Sequence, residues 1–416
     1  MLLLLMFLYI FDFKIYGFVS SSMIVLLVMI IKLMLDKEFR NEVTANALSY
    51  SSGRLIFCYL LITIWGFMAI AINGTNDYSF YRALIHGIVQ IYTGVILASL
   101  FIKKSKENEI TKYIVLCFVI QAIIETSAFV FPGFRQIIQL TKSAESVERL
   151  SVYMGIRGLG LAGSDVFGLA ICFALVFVLM ISPKHKWFSE NSFIKIVSII
   201  LLLFGGIVAA RTALIGFAYA IGIACLFRIK ENRVIKVKKQ TLILGPLSII
   251  AVIGVMTFFV KNVFMKMQSA SYYIYYMFEG FLNFFNTGTV SMSSTDNLFD
   301  NMYFSIPFKT LLIGDGMYSG VSGGYYMGTD AGFMRPVLFM GIMGIILLLL
   351  IQINILKLSR NHRKLNKYDL AILGLAIILQ IKGEVIGYAL MFNSCVVLYV
   401  FQRNESETKE IDVISE

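Results

Sequence analysis

The sequence predicts an all-α polytopic transmembrane bundle of about twelve spans, with two long loops on the outer side. Three observations lead there. Of the 416 residues, 58% are hydrophobic and only 15% are charged, and the mean hydropathy is +0.80, far from the balance of a soluble globular domain. Apolar runs of about 20 residues, enough to cross a bilayer, recur along nearly the whole chain. Finally, Lys and Arg gather in loops that fall on one side when those runs are threaded back and forth. Residues 1–416 therefore read as a single integral membrane domain.

In order, the candidate spans cover residues 2–17, 18–35, 54–72, 84–102, 113–131, 164–181, 193–209, 211–227, 242–260, 333–356, 368–386 and 387–402. Asp12 and Lys14 interrupt the first. The N-terminus has neither the basic start nor the small-residue cleavage site of a secretory signal, so this span reads as retained. Residues 193–228 are too long for one span and long enough for two, which puts Arg211 at the tip of a tight hairpin beside Gly205, Gly206 and Thr212.

The basic stretches "KKSKENEITK", "RIKENRVIKVKK" and "KLSRNHRKLNK" share one side of this threading. That side holds 24 Lys and Arg against 13 Asp and Glu, and the other holds 12 against 12, so the whole +11 net charge is on one face. By the positive-inside rule that face is cytoplasmic, with both termini and the tail 403–416. The charge is thus a topology signal, compatible with anionic lipid contacts, and calls for no nucleic acid partner.

Two outer loops, 132–163 and 261–332, are too long to be mere connectors. In the second, "QSASYYIYYMFEGFLNFFN" is apolar except at Gln268, Glu279, Asn283 and Asn286. The last three share a helical stripe, so a helix lying along the membrane surface is expected. Tyr272, Tyr273, Tyr275, Tyr276 and Phe278 could stack on sugar rings, although an interfacial aromatic belt is the commoner arrangement.

Several chemistries lack support. Cys58, Cys117, Cys172, Cys225 and Cys395 all fall inside predicted spans at no metal-ligand spacing. His86, His185 and His362 are too few and scattered for a histidine metal site, and no D-x-D sequence occurs. No cofactor and no metal are expected.

An arginine inside an apolar region costs roughly 2.5–3.5 kcal/mol on translocon-based scales, so Arg211 is rarely there by default. It is either a snorkelling anchor for the hairpin or a ligand for an anionic head group. The first long loop ends in "RGLGLAGSDVFG", residues 157–168, in which small residues precede a helix start that could offer N–H groups to an anion. The second ends in "LIGDGMYSGVSGGYYMGTDAGFMRPVLFMGIMG", with Tyr325, Asp330 and Arg335. Lys382 and Glu384 close the eleventh span, and Glu125 is near the outer end of the fifth. Each could be a structural ion pair. Together Arg157, Arg211, Arg335, Lys382, Asp330, Glu384 and Glu125 stand at one depth, as a site for an anionic lipid requires.

These stretches resemble the bacterial O-antigen polymerase family, of the same superfamily as the O-antigen ligases. The resemblance covers roughly residues 150–345: "RGLGLAGSDVFG", the "ARTALIG" hairpin, the "GDGMYS", "TDAGFMR" and "GIMG" segments, and an arginine-x10-glycine spacing at Arg157 to Gly168 and Arg211 to Gly222. It implies a metal-independent glycosyltransferase of the bacterial inner membrane, with both long loops periplasmic. The substrate would be an undecaprenyl-diphosphate-linked oligosaccharide, whose growing chain passes to the next lipid-linked repeat, and a chain-length regulator protein is an implied partner.

By the resemblance, Arg211 and Arg157 would hold the diphosphate, with Arg335 a third candidate, because guanidinium forks suit phosphate oxygens. Lys382 and Tyr325 complete the expected substrate contacts. Asp330, then Glu384, is the carboxylate expected to take the proton of the attacking hydroxyl. Ligases carry a histidine where this chain reads "GTDAGF", and neither long loop here contains one, which favours polymerase over ligase. A lipid-oligosaccharide flippase is a third class, but the midplane polar groups and inverted repeats of transporters are not visible.

Overall fold

The computed structural model describes residues 1–15, 18–142, 146–147, 157–227 with the backbone of 228–230, 279, 283, 286–289, 291–320, 323–358 and 364–402. The ninth predicted span, the aromatic cluster at 272–278 and the tail 403–416 lie outside the described residues.

The protein is mostly helical. Its elements run α1 (Leu2–Phe11), β1 (Lys14–Ile15), β2 (Val19–Ser20), α2 (Ser21–Leu35), α3 (Lys37–Ala47), α4 (Tyr50–Asn73), α5 (Ser79–Lys103), α6 (Ile110–Val130), α7 (Pro132–Gln139) and α8 (Phe167–Ile181). Then follow α9 (Ser192–Ala209), α10 (Thr212–Lys230), α11 (Ser293–Asn297), α12 (Phe308–Ile313), α13 (Met334–Leu356), α14 (Lys367–Gln380) and α15 (Leu390–Val400). Among the described residues, five helices are long and apolar enough to cross a membrane: α4, α5, α6 with the turn before it, α9 and α13.

The bundle is centred on α8, where every residue from Leu169 to Leu179 is buried, as expected of a helix that is hydrophobic all round. Aromatic contacts tie it outward: Phe173 to Phe118 of α6 at 5.2 Å between ring centroids, and Phe118 to Phe11 of α1 at 4.9 Å. Caps set the helix ends. Ser49 accepts from the Ser52 N–H at the start of α4, Gly74 closes it in a left-handed conformation, and Asn366 with Asp369 forms a capping box on α14.

Three helices depart from the expected bounds. α1 stops at Phe11 instead of residue 17, because Asp12 turns left-handed (φ 41°, ψ 42°) and the chain folds into the β1–β2 hairpin. The charges at 12 and 14 therefore end a helix. The predicted eleventh and twelfth spans are shortened around residues 381–389: the Gln380 carboxamide oxygen accepts from the Val385 and Ile386 N–H groups at 2.6 and 2.8 Å, and that of Gln352 from the Gly387 N–H at 2.9 Å. Buried side-chain amides thus stand in for the missing helical partners.

α13 carries a break at Gly341 (φ 66°, ψ −168°), a conformation essentially reserved for glycine. A Cβ there would lie 2.3 Å from the Leu312 carbonyl oxygen. The break frees carbonyls, and the "GDG" turn after α12 takes them up: Asp315 N–H donates to Leu338 O at 2.7 Å and Gly316 N–H to Phe339 O at 3.1 Å. Trp65 of α4 donates to Met340 O at 2.8 Å. Irregular backbone inside an apolar bundle is tolerated only when satisfied in this way.

One end of the bundle collects the C-termini of α1, α4, α6, α9 and α14 and the N-termini of α2, α5, α8, α10, α13 and α15. Its loops interlock: Gly163 N–H donates to Phe11 O at 2.8 Å, Thr75 to Gly316 O at 2.6 Å, and Tyr303 to Ile381 O at 2.6 Å. The opposite end is held by Lys103 on Asp36 at 2.6 Å and by Lys184 on Gln402 O at 2.6 Å.

Candidate functional site

Arg335, in the first turn of α13, is sandwiched between the rings of Tyr318 and Tyr325, at 4.0 and 4.3 Å from their centroids. It is ion-paired with Glu384, and the Tyr318 hydroxyl donates to the same carboxylate oxygen at 2.6 Å. Both charged side chains are out of water, 11% and 4% exposed. Stacking on two rings fixes the plane of the guanidinium, which a lysine could not reproduce.

The scaffold beneath is local. Asp77, between α4 and α5, accepts from the Tyr318 and Ser319 N–H groups, each at 2.6 Å. A β-bridge between Ser319 and Tyr325 folds the glycine-rich stretch back, bringing Tyr325 over Arg335. Burial pushes the Tyr318 hydroxyl well up, and Glu384 pushes it further, so this phenol stays a donor. Nε of Arg335 and Oε1 of Glu384 are buried with no hydrogen-bond partner among the described residues. Such atoms are costly unless something completes them.

Asp330 is exposed on the same loop. Partial removal from water raises its carboxyl above the ordinary value, against the opposing pull of its backbone N–H, Lys382 and Arg335.

Glu384 also lines a cavity of about 430 Å³ at this end of the bundle. Its walls include Asp12 and Lys14 after α1, His86 of α5, Lys142 after α7 and Asp165 before α8. The glycine motif shapes it: a Cβ on Gly163 would sit 2.4 Å from the Asp12 carbonyl oxygen, so only glycine lets residues 157–168 close against the N-terminal segment. Lys142 bonds Asp165 at 2.5 Å and Gly160 O at 3.4 Å. Glu125 is buried nearby in α6, its carboxylate oxygens without hydrogen bonds among the described residues, and the Lys142 charge reaches it.

Arg211 forms a third group. It sits between α9 and α10, where Nη1 donates to Glu279 at 2.9 Å and Nη2 to Ser294 at 2.9 Å. Glu279 also accepts from the Ser293 N–H at 2.9 Å and its hydroxyl at 3.1 Å. Burial opposes ionisation of Glu279, but the Ser293 N–H, the Arg211 guanidinium and the Ser293 hydroxyl outweigh it and hold the carboxyl below its ordinary value. Of the expected polar stripe, Asn283 donates to Ser291 O at 2.9 Å.

Compared with protein-family models, curated proteins and solved structures, the chain matches none of them.

The expected residues thus fall into groups. Arg335 contacts both Glu384 and Tyr325, while Asp330 feels the charges of Lys382 and Arg335. Arg211 is engaged by the second long loop, and Arg157 is buried at the head of the glycine motif. Sequence reasoning missed Tyr318, Lys142 and His86 as site residues. Asp12 and Lys14 had left a signal, as charges interrupting an apolar run. Among the described residues, no cluster of three or more His, Cys, Asp or Glu could hold a metal ion.

Proposed function

We propose that the chain is a polymerase of the O-antigen type, which transfers a growing oligosaccharide from its lipid diphosphate onto the next lipid-linked repeat. In this reading about twelve spans cross the bacterial inner membrane, both termini are cytoplasmic and both long loops are periplasmic. The observation that carries it is the convergence on Glu384. Residues of the "GDGMYS" and "FMR" segments, Tyr318 and Arg335, bind one side of its carboxylate, and the cavity walled by the "GLAGSDVFG" segment opens on it as well. Two segments some 150 residues apart thus meet around one carboxylate.

The cations around that carboxylate suit a diphosphate. Arg335 is pre-aimed by two aromatic rings, and its unpartnered Nε is a donor waiting for an oxygen. In this reading Lys382, Arg157 and Arg211, the last held in its own group by Glu279 and Ser294, add the remaining positive charge. As the anomeric carbon–oxygen bond breaks, negative charge grows on the departing diphosphate, and fixed guanidinium groups stabilise it there more than in the bound substrate. Glu384 and Asp330 act as counter-ions that keep the cations in place until the diphosphate arrives. An undecaprenyl tail would lie along the apolar helix faces.

A lipopolysaccharide gel from a strain lacking the gene tests this reading. Lipid A core bearing a single repeat is expected, because a separate ligase still transfers one unit. Loss of every repeat, including that single unit, would point to a ligase or a flippase instead.

A further inference from the structure

We infer that His86 takes the proton from the attacking sugar hydroxyl and that Asp12 positions it, the two forming a catalytic pair in the cavity; this rests on the polymerase reading. The sequence expectation gave the proton to Asp330 or Glu384. Glu384 lines the cavity, but its carboxylate is already charge-paired with Arg335 and bonded by Tyr318, and Asp330 is not among the residues that wall the cavity. His86 walls it, and its side chain remains 36% exposed there.

The pair has the build of an oriented base. His86 Nε2 lies 3.7 Å from Asp12 Oδ2, a separation of the kind that tightens when substrate docks. Asp12 is held from the other side by the Ser20 hydroxyl, the Ser22 hydroxyl at 2.5 Å and the Ser22 N–H at 3.3 Å, all on Oδ1, leaving Oδ2 to the imidazole. Its left-handed backbone is one that Asp tolerates better than most residues, and the clasp of Gly163 on Phe11 pins it. Three features of the N-terminal segment, the early end of α1, the β1–β2 hairpin and the serine pair, thereby acquire one purpose. With Nε2 turned to Asp12, Nδ1 is the nitrogen left to accept a proton. The cavity, at about 430 Å³, falls in the range of about 300–1,000 Å³ typical of small-molecule sites.

The step balances. The acceptor hydroxyl oxygen bonds to the anomeric carbon of the donor oligosaccharide. The bond from that carbon to the diphosphate oxygen breaks, and its electron pair leaves with the diphosphate. The hydroxyl proton moves to His86, whose imidazolium is stabilised by Asp12 and returns the proton to water. Other charges facing the pair are Lys14, the Lys142–Asp165 ion pair and Glu384 on the cavity wall, with Tyr388 beside them and Arg82 one turn away on α5.

The test is the pH–rate profile of transfer by purified protein in liposomes, given a lipid-diphosphate-linked repeat, alongside donor binding. The wild type should show an acidic limb, as a general base requires. His86→Gln should slow transfer about a hundredfold or more, abolish the limb and leave donor affinity unchanged. External imidazole should restore part of the activity of His86→Ala. Asp12→Asn, which suits the left-handed turn, should slow transfer about tenfold and displace the limb. Wild-type rate and an unchanged limb in His86→Gln would overturn this inference while leaving the polymerase reading intact. A wild-type protein that makes no polymer would overturn that reading, and this inference with it.

Discussion

Arg211 makes two hydrogen bonds through two different nitrogens, to Glu279 and to Ser294, and a single ammonium group cannot reproduce that fork. If its function is to meet a diphosphate, Arg211→Lys should remove most long chains at normal protein abundance, and Glu279→Gln should keep them. Chain-length distributions with immunoblots check this. Loss of activity only in step with abundance, in both variants, would mean an anchor. The same pair carries a pH dependence. Glu279 has a folded value below its unfolded one, so the contact it stabilises is complete above the ordinary carboxylate range of about 4 and is lost as pH falls through the lowered value. Proteolytic cleavage within residues 261–332 should therefore rise in acid for the wild type and be high and pH-independent in Glu279→Gln. At this scale the sequence was legible where a charge broke an apolar run: Arg211, Asp12 and Lys14 all stood out. His86 and Lys142 did not, because a polar residue near a helix end is ordinary and only the packing of α5 and of the turn after α7 turns them to one cavity.

The helices show the same division. The length of residues 193–228 was enough to require a turn near Arg211, since a single span needs only about 20 residues, and α9 and α10 meet there. The break in α13 was invisible, because "LFMGIMG" reads as uninterrupted apolar helix until the "GDG" turn is seen to fill it. Gly341→Ala should be strongly destabilising, since the residue must either abandon its φ of 66° or drive a Cβ into the Leu312 carbonyl. Strain of this kind costs on the order of 1–3 kcal/mol before the clash is counted. The check is the melting temperature in detergent, with Gly222→Ala, where a Cβ meets nothing within 4 Å, as the neutral comparison.

Across the whole molecule, one bundle end gathers the glycine motif, the "GDG" turn and the ion pairs, and the other holds the contacts of Lys103 and Lys184. The one-sided count of Lys and Arg in the sequence makes the second end the expected cytoplasmic one, because positive loops resist translocation. A reporter fused after Lys104 should therefore read cytoplasm and one inserted near Ser293 periplasm; Ser293 inside would overturn the proposed periplasmic access to the site. The most direct measurement of what the chain does uses purified protein in liposomes supplied with undecaprenyl-diphosphate-linked repeats, with chain length followed on a gel in the presence of EDTA. Ladders of lengthening chains are expected, with free lipid diphosphate released at each transfer. Repeats that stay single with no lipid diphosphate released, or chains that form only when a divalent ion is restored, would contradict the account.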